Sequence, residues 1–281
     1  MFVALQYLLP HHLLCRLVYA LTRSETRWFK NRLIGAFMRG YAPEMADAAE
    51  PDPLAYPSFN AFFTRPLRTG ARPLDPDSRA LVSPCDGTVS LAGEIRGDRL
   101  LQAKSHEYTL TALLADPARS ARFAGGSFAT LYLAPYNYHR VHMPLDGRLS
   151  AAWHVPGRLF SVNRQTAERV PRLFARNERV VCAFDGEHGP FVVILVGALF
   201  VGSMSTVWHG DITPSRTGAG VRTLQPAAQA ALWQPRGAEL GRFNMGSTVI
   251  LLLPPDTVRW DPTLQPGVSV RVGRRLGTRA A

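Results

Sequence analysis

From about residue 80 onward the chain is a succession of short apolar runs, GTVSLAGEI, SFATLYLA, RVVCAF, PFVVILVGALFVGSM and TVILLL, fenced by Gly, Asp and Pro. This pattern constrains the fold more than any other feature of the sequence. Runs rich in Val, Ile, Leu and aromatics, bounded by turn residues, form strands. The 22 Pro and 23 Gly spread along the chain supply many of those breaks. CAFDGEHGPFVVILV reads as two strands joined at a turn carrying Asp185 and Gly186. One helix is expected within NRQTAERVPRLFAR, which Pro171 must end or kink.

The first 42 residues read differently. In RWFKNRLIGAFMRGY the apolar Phe29, Leu33, Ala36 and Phe37 recur at helical spacing with Lys30, Arg32 and Arg39 between them. Residues 1–42 carry six basic side chains against Glu25 alone, a composition that suits a helix lying among anionic lipid headgroups. Such helices equally suit a lid over the core or a dimer contact, and the residues leave these readings open. Pro10 and the pair His11-His12 interrupt FVALQYLLPHHLLCRLVYALTR, so neither half reaches the roughly 20 residues of a membrane span. The stretch also lacks the basic start and small-residue cleavage site of a secretory signal. A Pro-rich acidic connector follows, then FNAFF, which Ser58 is placed to cap and whose Phe59, Phe62 and Phe63 share a face expected to be core. The fold class expected is α+β, with a helical lobe and linker over 1–79 and a β-rich domain over 80–281.

A net charge of +11 with a pI near 10.3 invites a polyanionic partner. All but two of the 32 basic residues are Arg, however, and a uniform Arg excess can reflect coding bias alone. Cys15, Cys85 and Cys182 show no metal-ligand spacing and read as reduced thiols.

Reactive side chains gather in three places. Asp86 precedes Gly87 at a turn into a strand, by itself a routine arrangement. YLAPYNYHRVHMPLDG brings His139 and His142 together with Tyr136, Tyr138 and Arg140; the His-x-x-His pair lacks a third ligand of matching spacing, so no metal is expected. In FNMGSTVILLLP, Ser247 follows Gly246 directly and opens a strand. A Ser, a His and Asp86 satisfy the logic of a serine hydrolase, but no GxSxG elbow is present. The position offers another electrophile, the carbonyl of Gly246 itself. Attack by the Ser247 hydroxyl converts the peptide bond to an ester, and elimination then leaves a carboxylate on Gly246 and dehydroalanine at 247. Tautomerisation and hydrolysis release ammonia and leave a pyruvoyl ketone.

At these residues the chain resembles the phosphatidylserine decarboxylases, in particular their bacterial membrane-associated class. LQYLLP, SFNAFFTRPLR, the Asp86-Gly87 turn, LQAKSHEY, YHRVHMP, VPGRLFSVN, LFARNERV, VGSMSTVW and GRFNMGSTVI carry the resemblance in order along nearly the whole chain. Met245 stands where the family usually has Leu, a swap that preserves volume. The resemblance implies a self-cleavage triad of Asp86, His142 and Ser247, with His142 as base and Asp86 orienting it, and a part for His139 in decarboxylation. It further implies a pyruvoyl cofactor made from Ser247, turnover of phosphatidylserine to phosphatidylethanolamine through a Schiff base, and a homodimer of cleaved large and small chains. The protein would sit peripherally on the cytoplasmic face of the membrane. PLP would provide a similar electron sink but requires a lysine, and only Lys30 and Lys104 exist. The rival readings are an uncleaved serine hydrolase and a non-enzymatic basic protein; the second leaves HRVH and MGST together unexplained, and no nucleic-acid partner is expected.

Overall fold

The run TVILLL lies at the middle of the molecule. The computed structural model describes residues 2–103, 106–200, 202–215, 219–224 and 232–280, so Lys104, weighed above as a PLP anchor, lies outside the described residues. Its centre is a nine-stranded antiparallel sheet. In spatial order the strands are Arg222–Thr223, Gly147–Val155, Arg179–Gly186, Gly189–Gly197, Ser247–Leu253, Ser127–Leu133, Gly87–Glu94 and Ser269–Val270, and Trp233–Gln234 also pairs with Gly147–Val155. Every residue of Ser247–Leu253 is buried, which explains why its sequence is apolar throughout instead of alternating. On one face of the sheet Val180, Leu195 and Val249 join a core with Leu131; on the other Val181, Ile194 and Ile250 join a second. Full burial of each such side chain contributes about 2 kcal/mol.

Three smaller sheets are also present among the described residues, one of them the pair Arg99–Ala103 and His106–Thr109. Gly210–Ile212, Met204–Thr206, Glu239–Phe243 and Arg140–His142 form another, and Ala80–Val82, Arg275–Arg279 and Val258–Trp260 the third. The hairpin expected at Asp185 and Gly186 forms, but both residues belong to its strands. Asp185 pairs with Pro190 and Gly186 with Gly189, and the turn is Glu187-His188. The helix expected around 163–176 is two single turns, Arg164–Ala167 and Leu173–Arg176, because Pro171 prevents continuation and Arg172 adopts a left-handed conformation (φ 56°).

The N-terminal region holds three helices, α1 (Phe2–Leu8), α2 (His11–Thr22) and α3 (Arg27–Tyr41), followed by the single turn α4 (Phe59–Phe63). Ser58 caps α4 as its sequence suggested, accepting a hydrogen bond from the Ala61 N–H at 3.1 Å. Ile34 and Phe37 of α3 pack on Phe59, Phe62 and Phe63, so this helix takes the core-covering alternative. The helix α2 is different. It buries His11 and Cys15, while Leu13, Leu17 and Leu21, one turn apart, stay 51–55% exposed. The inner side of α1 and α2 is latched by polar contacts: the Ser161 N–H donates to Gln6 Oε1 (2.7 Å) and the Leu159 N–H to His11 Nδ1 (3.3 Å). No helix among the described residues is long and apolar enough to cross a membrane.

Candidate active site

Ser247 opens the central strand, opposite Leu133 on one side and Gly197 on the other. It is 1% exposed, and its hydroxyl has no hydrogen-bond partner. A buried hydroxyl is rarely left so. The same row continues outward in both directions. Beyond Gly197, whose N–H donates to the Glu178 carbonyl at 2.8 Å, lies Glu178; beyond Leu133 the strand Gly87–Glu94 comes in so closely that a Cβ on Gly87 would lie 2.5 Å from the Tyr132 carbonyl oxygen. Only glycine allows that approach, and it brings Asp86 to the same end of the sheet.

The segment before Ser247 is anchored. The Phe243 N–H donates to the His139 carbonyl (3.0 Å), so the loops 134–139 and 244–246 run side by side. Asn244 donates through Nδ2 to Ser203 Oγ (2.6 Å) and Ser205 Oγ (3.1 Å), and its Oδ1 accepts from Asn60 Nδ2 (3.1 Å). Gly246 has open space around a would-be Cβ and an ordinary φ, so nothing in this conformation demands glycine there.

The two histidines have different partners. His139 is fully buried with its ring 4.1 Å from that of Phe63; its Nδ1 faces the Asn137 carbonyl at 2.8 Å, and its Nε2 has no partner. Because a carbonyl only accepts, the proton is assigned to Nδ1 and the lone pair to Nε2. Burial, with a smaller contribution from nearby Arg65, lowers its pKa to about 3 against the hydrogen bond that would raise it. His142 has Nδ1 against the Gly237 carbonyl (2.8 Å) and Nε2 against the Tyr138 hydroxyl (3.0 Å), so Nδ1 donates and Nε2 accepts. Burial lowers its pKa also; the Gly237 hydrogen bond, then the charge of Glu239 and last that of Asp86 act in the raising direction. Tyr138, whose pKa burial raises, is the phenol that donates to it.

Asp86 does not hydrogen-bond to His142. Its carboxylate is gripped by Arg72, with Nε 3.1 Å from both oxygens and Nη2 2.6 Å from Oδ2, and it accepts the Val272 N–H at 2.9 Å. Arg72 also reaches Asp47 at 2.6 Å. The structure therefore brings Asp86, His142, His139 and Ser247 to one end of the central sheet without joining them in a hydrogen-bonded relay. The orienting contact to His142 comes from Gly237. Sequence reasoning missed Arg72 and Tyr138; one Arg among 30 carries no local signal, and a tyrosine beside two histidines has no role that its motif alone defines. Among the described residues no three His, Cys, Asp or Glu side chains gather as metal ligands.

The architecture and site define an α+β protein with a buried, unpartnered serine at the head of a central strand, directly after a glycine. The chain belongs to the phosphatidylserine decarboxylase family: the model of that description matches residues 59–278, and a second, described as PSD, matches residues 1–42. It is 51% identical to a phosphatidylserine decarboxylase proenzyme of Pseudomonas fluorescens over 278 residues, covering 99% of this chain and 96% of that one. It is similarly close to proenzymes of the same name from Pseudomonas entomophila, 51% identical over all 281 residues and 98% of the relative, and from Stutzerimonas stutzeri, 50% identical over 281 residues and 95% of the relative.

Proposed function

We propose that this chain is a proenzyme that cuts itself between Gly246 and Ser247 and then, as a carboxy-lyase, converts phosphatidylserine to phosphatidylethanolamine and carbon dioxide. One observation carries the cleavage: a fully buried, unpartnered Ser247 hydroxyl stands directly after a glycine, at the head of a strand fixed by pairing on both sides. The strand holds Ser247 still. Gly246, unhindered, provides the freedom to turn its carbonyl toward the hydroxyl.

Cutting takes two steps. Oγ gives up its proton and bonds to the Gly246 carbonyl carbon while the bond from that carbon to the Ser247 nitrogen breaks and the nitrogen takes up a proton, leaving an ester. Loss of the α-proton of residue 247 then breaks the Cβ–Oγ bond and frees the Gly246 carboxylate. His142 suits the base: burial keeps it neutral, Gly237 fixes Nδ1–H, and Nε2 is left as the basic position, which the Tyr138 hydroxyl occupies in this conformation. The Gly237 hydrogen bond and the charge of Glu239 favour protonation of that ring, and the charge of Asp86, held by Arg72, adds to them. These assignments rest on the family resemblance and on this geometry together.

A pyruvoyl ketone at position 247 would supply the electron sink that accepts the charge left when carbon dioxide departs. The residues fit such a group: position 247 is enclosed and its polar atom is unclaimed by the protein. His139, a neutral ring whose lone pair at Nε2 is unpartnered, suits carrying a proton better than holding a carboxylate, since two acceptors repel. PLP and metal have no part in this reading.

The two parts of the chain, 1–79 and 80–281, have distinct jobs in the proposal. The outward stripe Leu13, Leu17 and Leu21, with exposed Arg16 on the same helix, supports attachment to an anionic membrane surface without a membrane span. The family resemblance supports a homodimer on the cytoplasmic face. The decisive experiment is an intact-mass spectrum of purified active protein. Fragments 1–246 and 247–281 are expected, the smaller lighter than its unmodified peptide by one ammonia; an active enzyme consisting solely of full-length chain overturns the proposal.

A further inference from the structure

The row of the sheet that holds Ser247 contains a second polar group that self-cleavage does not use. Glu178 lies opposite Gly197, which lies opposite Ser247. Residues directly opposite in an antiparallel sheet project to the same face. Val180, Leu195 and Val249 share one core, so Glu178 and Ser247, each two residues away along its strand, project to that same side. Gly197 stands between them without a side chain. Its backbone is clamped from the Glu178 side, with its N–H on the Glu178 carbonyl and its carbonyl accepting from Asn177 Nδ2 at 2.9 Å.

Glu178 is completely buried, and so is His154, whose Nε2 approaches Glu178 Oε1 to 2.9 Å. The contact lies off the hydrogen-bonding direction, so neither carboxylate oxygen and neither ring nitrogen has a directed partner. Burying four unsatisfied polar atoms together is costly and uncommon. The neighbouring charges do not relieve it. Arg179 crosses to the other face and donates to the carbonyls of Leu113 and Ala112, His11 is engaged by the Leu159 N–H, and Arg158 is exposed. A structural ion pair would be expected to complete its hydrogen bonds; a group awaiting a ligand would not.

We propose that Glu178, backed by His154, receives the ammonium group of the substrate across the gap left by Gly197 and takes one proton from it, so that a neutral amine meets position 247. The balance is simple: an ammonium and a carboxylate become an amine and a carboxylic acid, and His154 offers that proton a second site. The inference rests on the reading of position 247 given above.

The test is Glu178→Gln with Glu178→Asp beside it, in the full chain. Mass spectrometry should show both variants cleaved, and phenylhydrazine, which is neutral at pH 7 and brings its own free amine, should label the small fragment of each as fast as in the parent protein. Glu178→Gln should nevertheless lose about 100-fold in kcat/KM at pH 7. The deficit should shrink to a few-fold as the pH approaches that at which the substrate amine is itself deprotonated, and Glu178→Asp should recover much of the pH 7 rate. Cleavage or labelling lost along with turnover, or a deficit equal at all pH values, would show that Glu178 is structural and overturn the inference. So would a Glu178→Gln rate within three-fold of the parent, far short of the roughly 100-fold that loss of a positioned proton acceptor costs. A parent protein that neither cleaves nor labels would instead remove the pyruvoyl reading itself.

Discussion

At the scale of single residues the site depends on keeping polar groups neutral and dry. His139 shows this most clearly, with its pKa lowered to about 3 by burial. Between that value and the ordinary 6.5 the unfolded chain binds a proton at this position and the folded chain does not, so stability falls as pH is lowered through the window. The slope due to this group is at most about 1.4 kcal/mol per pH unit. Denaturant unfolding at pH 7 and pH 5 should therefore show a loss on acidification that is smaller in His139→Asn, which has no ring to protonate. The glycine before Ser247, the two histidines and the Asp86-Gly87 turn were legible in the sequence because each sits in a short distinctive motif. Arg72, Tyr138 and Glu178 were not assigned roles. Their roles in the proposal arise from placement: Arg72 comes from a connector 14 residues before Asp86, and Glu178 lies in one row with Ser247, across Gly197.

At the scale of elements, most β runs were read correctly because each is bounded by turn residues, and the apolar run after Ser247 became a central strand; PFVVILVGALFVGSM is instead a strand ending at Gly197, a turn, and the start of Met204–Thr206. The hairpin turn was misplaced by two residues because Asp-Gly is a strong local signal that strand pairing overrode. The helical lobe was the least legible part. Periodicity gave α3 an apolar face but not what would cover it; the phenylalanine cluster of α4 claims that face, while the leucines of α2 stay uncovered. The two helices should consequently answer differently to substitution. Leu13→Asp with Leu17→Asp should weaken the salt-resistant part of binding to phosphatidylglycerol vesicles and leave the melting temperature nearly unchanged. Phe37→Ala should instead cost about 3 kcal/mol of stability by opening a cavity against Phe59, Phe62 and Phe63. Vesicle flotation and thermal unfolding of the same preparations measure both.

At the scale of the whole molecule, the cut proposed before Ser247 divides the chain unevenly yet removes nothing from the sheet. The last 35 residues supply the central strand, flanked on both sides by strands of the larger piece, and also Arg275–Arg279, which lies between Ala80–Val82 and Val258–Trp260. The short piece is thus a plug driven through the middle of its own host. Before the cut, unfolding is a reaction of one chain and its reversal is independent of concentration. Afterwards two strangers must find each other, and the larger one must present an empty slot whose walls are exposed apolar strands prone to pair with their like. The protein can be assembled with ease only once: uncut Ser247→Ala chain should regain its fold from denaturant at low micromolar concentration, whereas the severed enzyme, treated identically, should aggregate. Cutting then acts as a ratchet, fixing a molecule that has already folded into a form it has no simple route to rebuild.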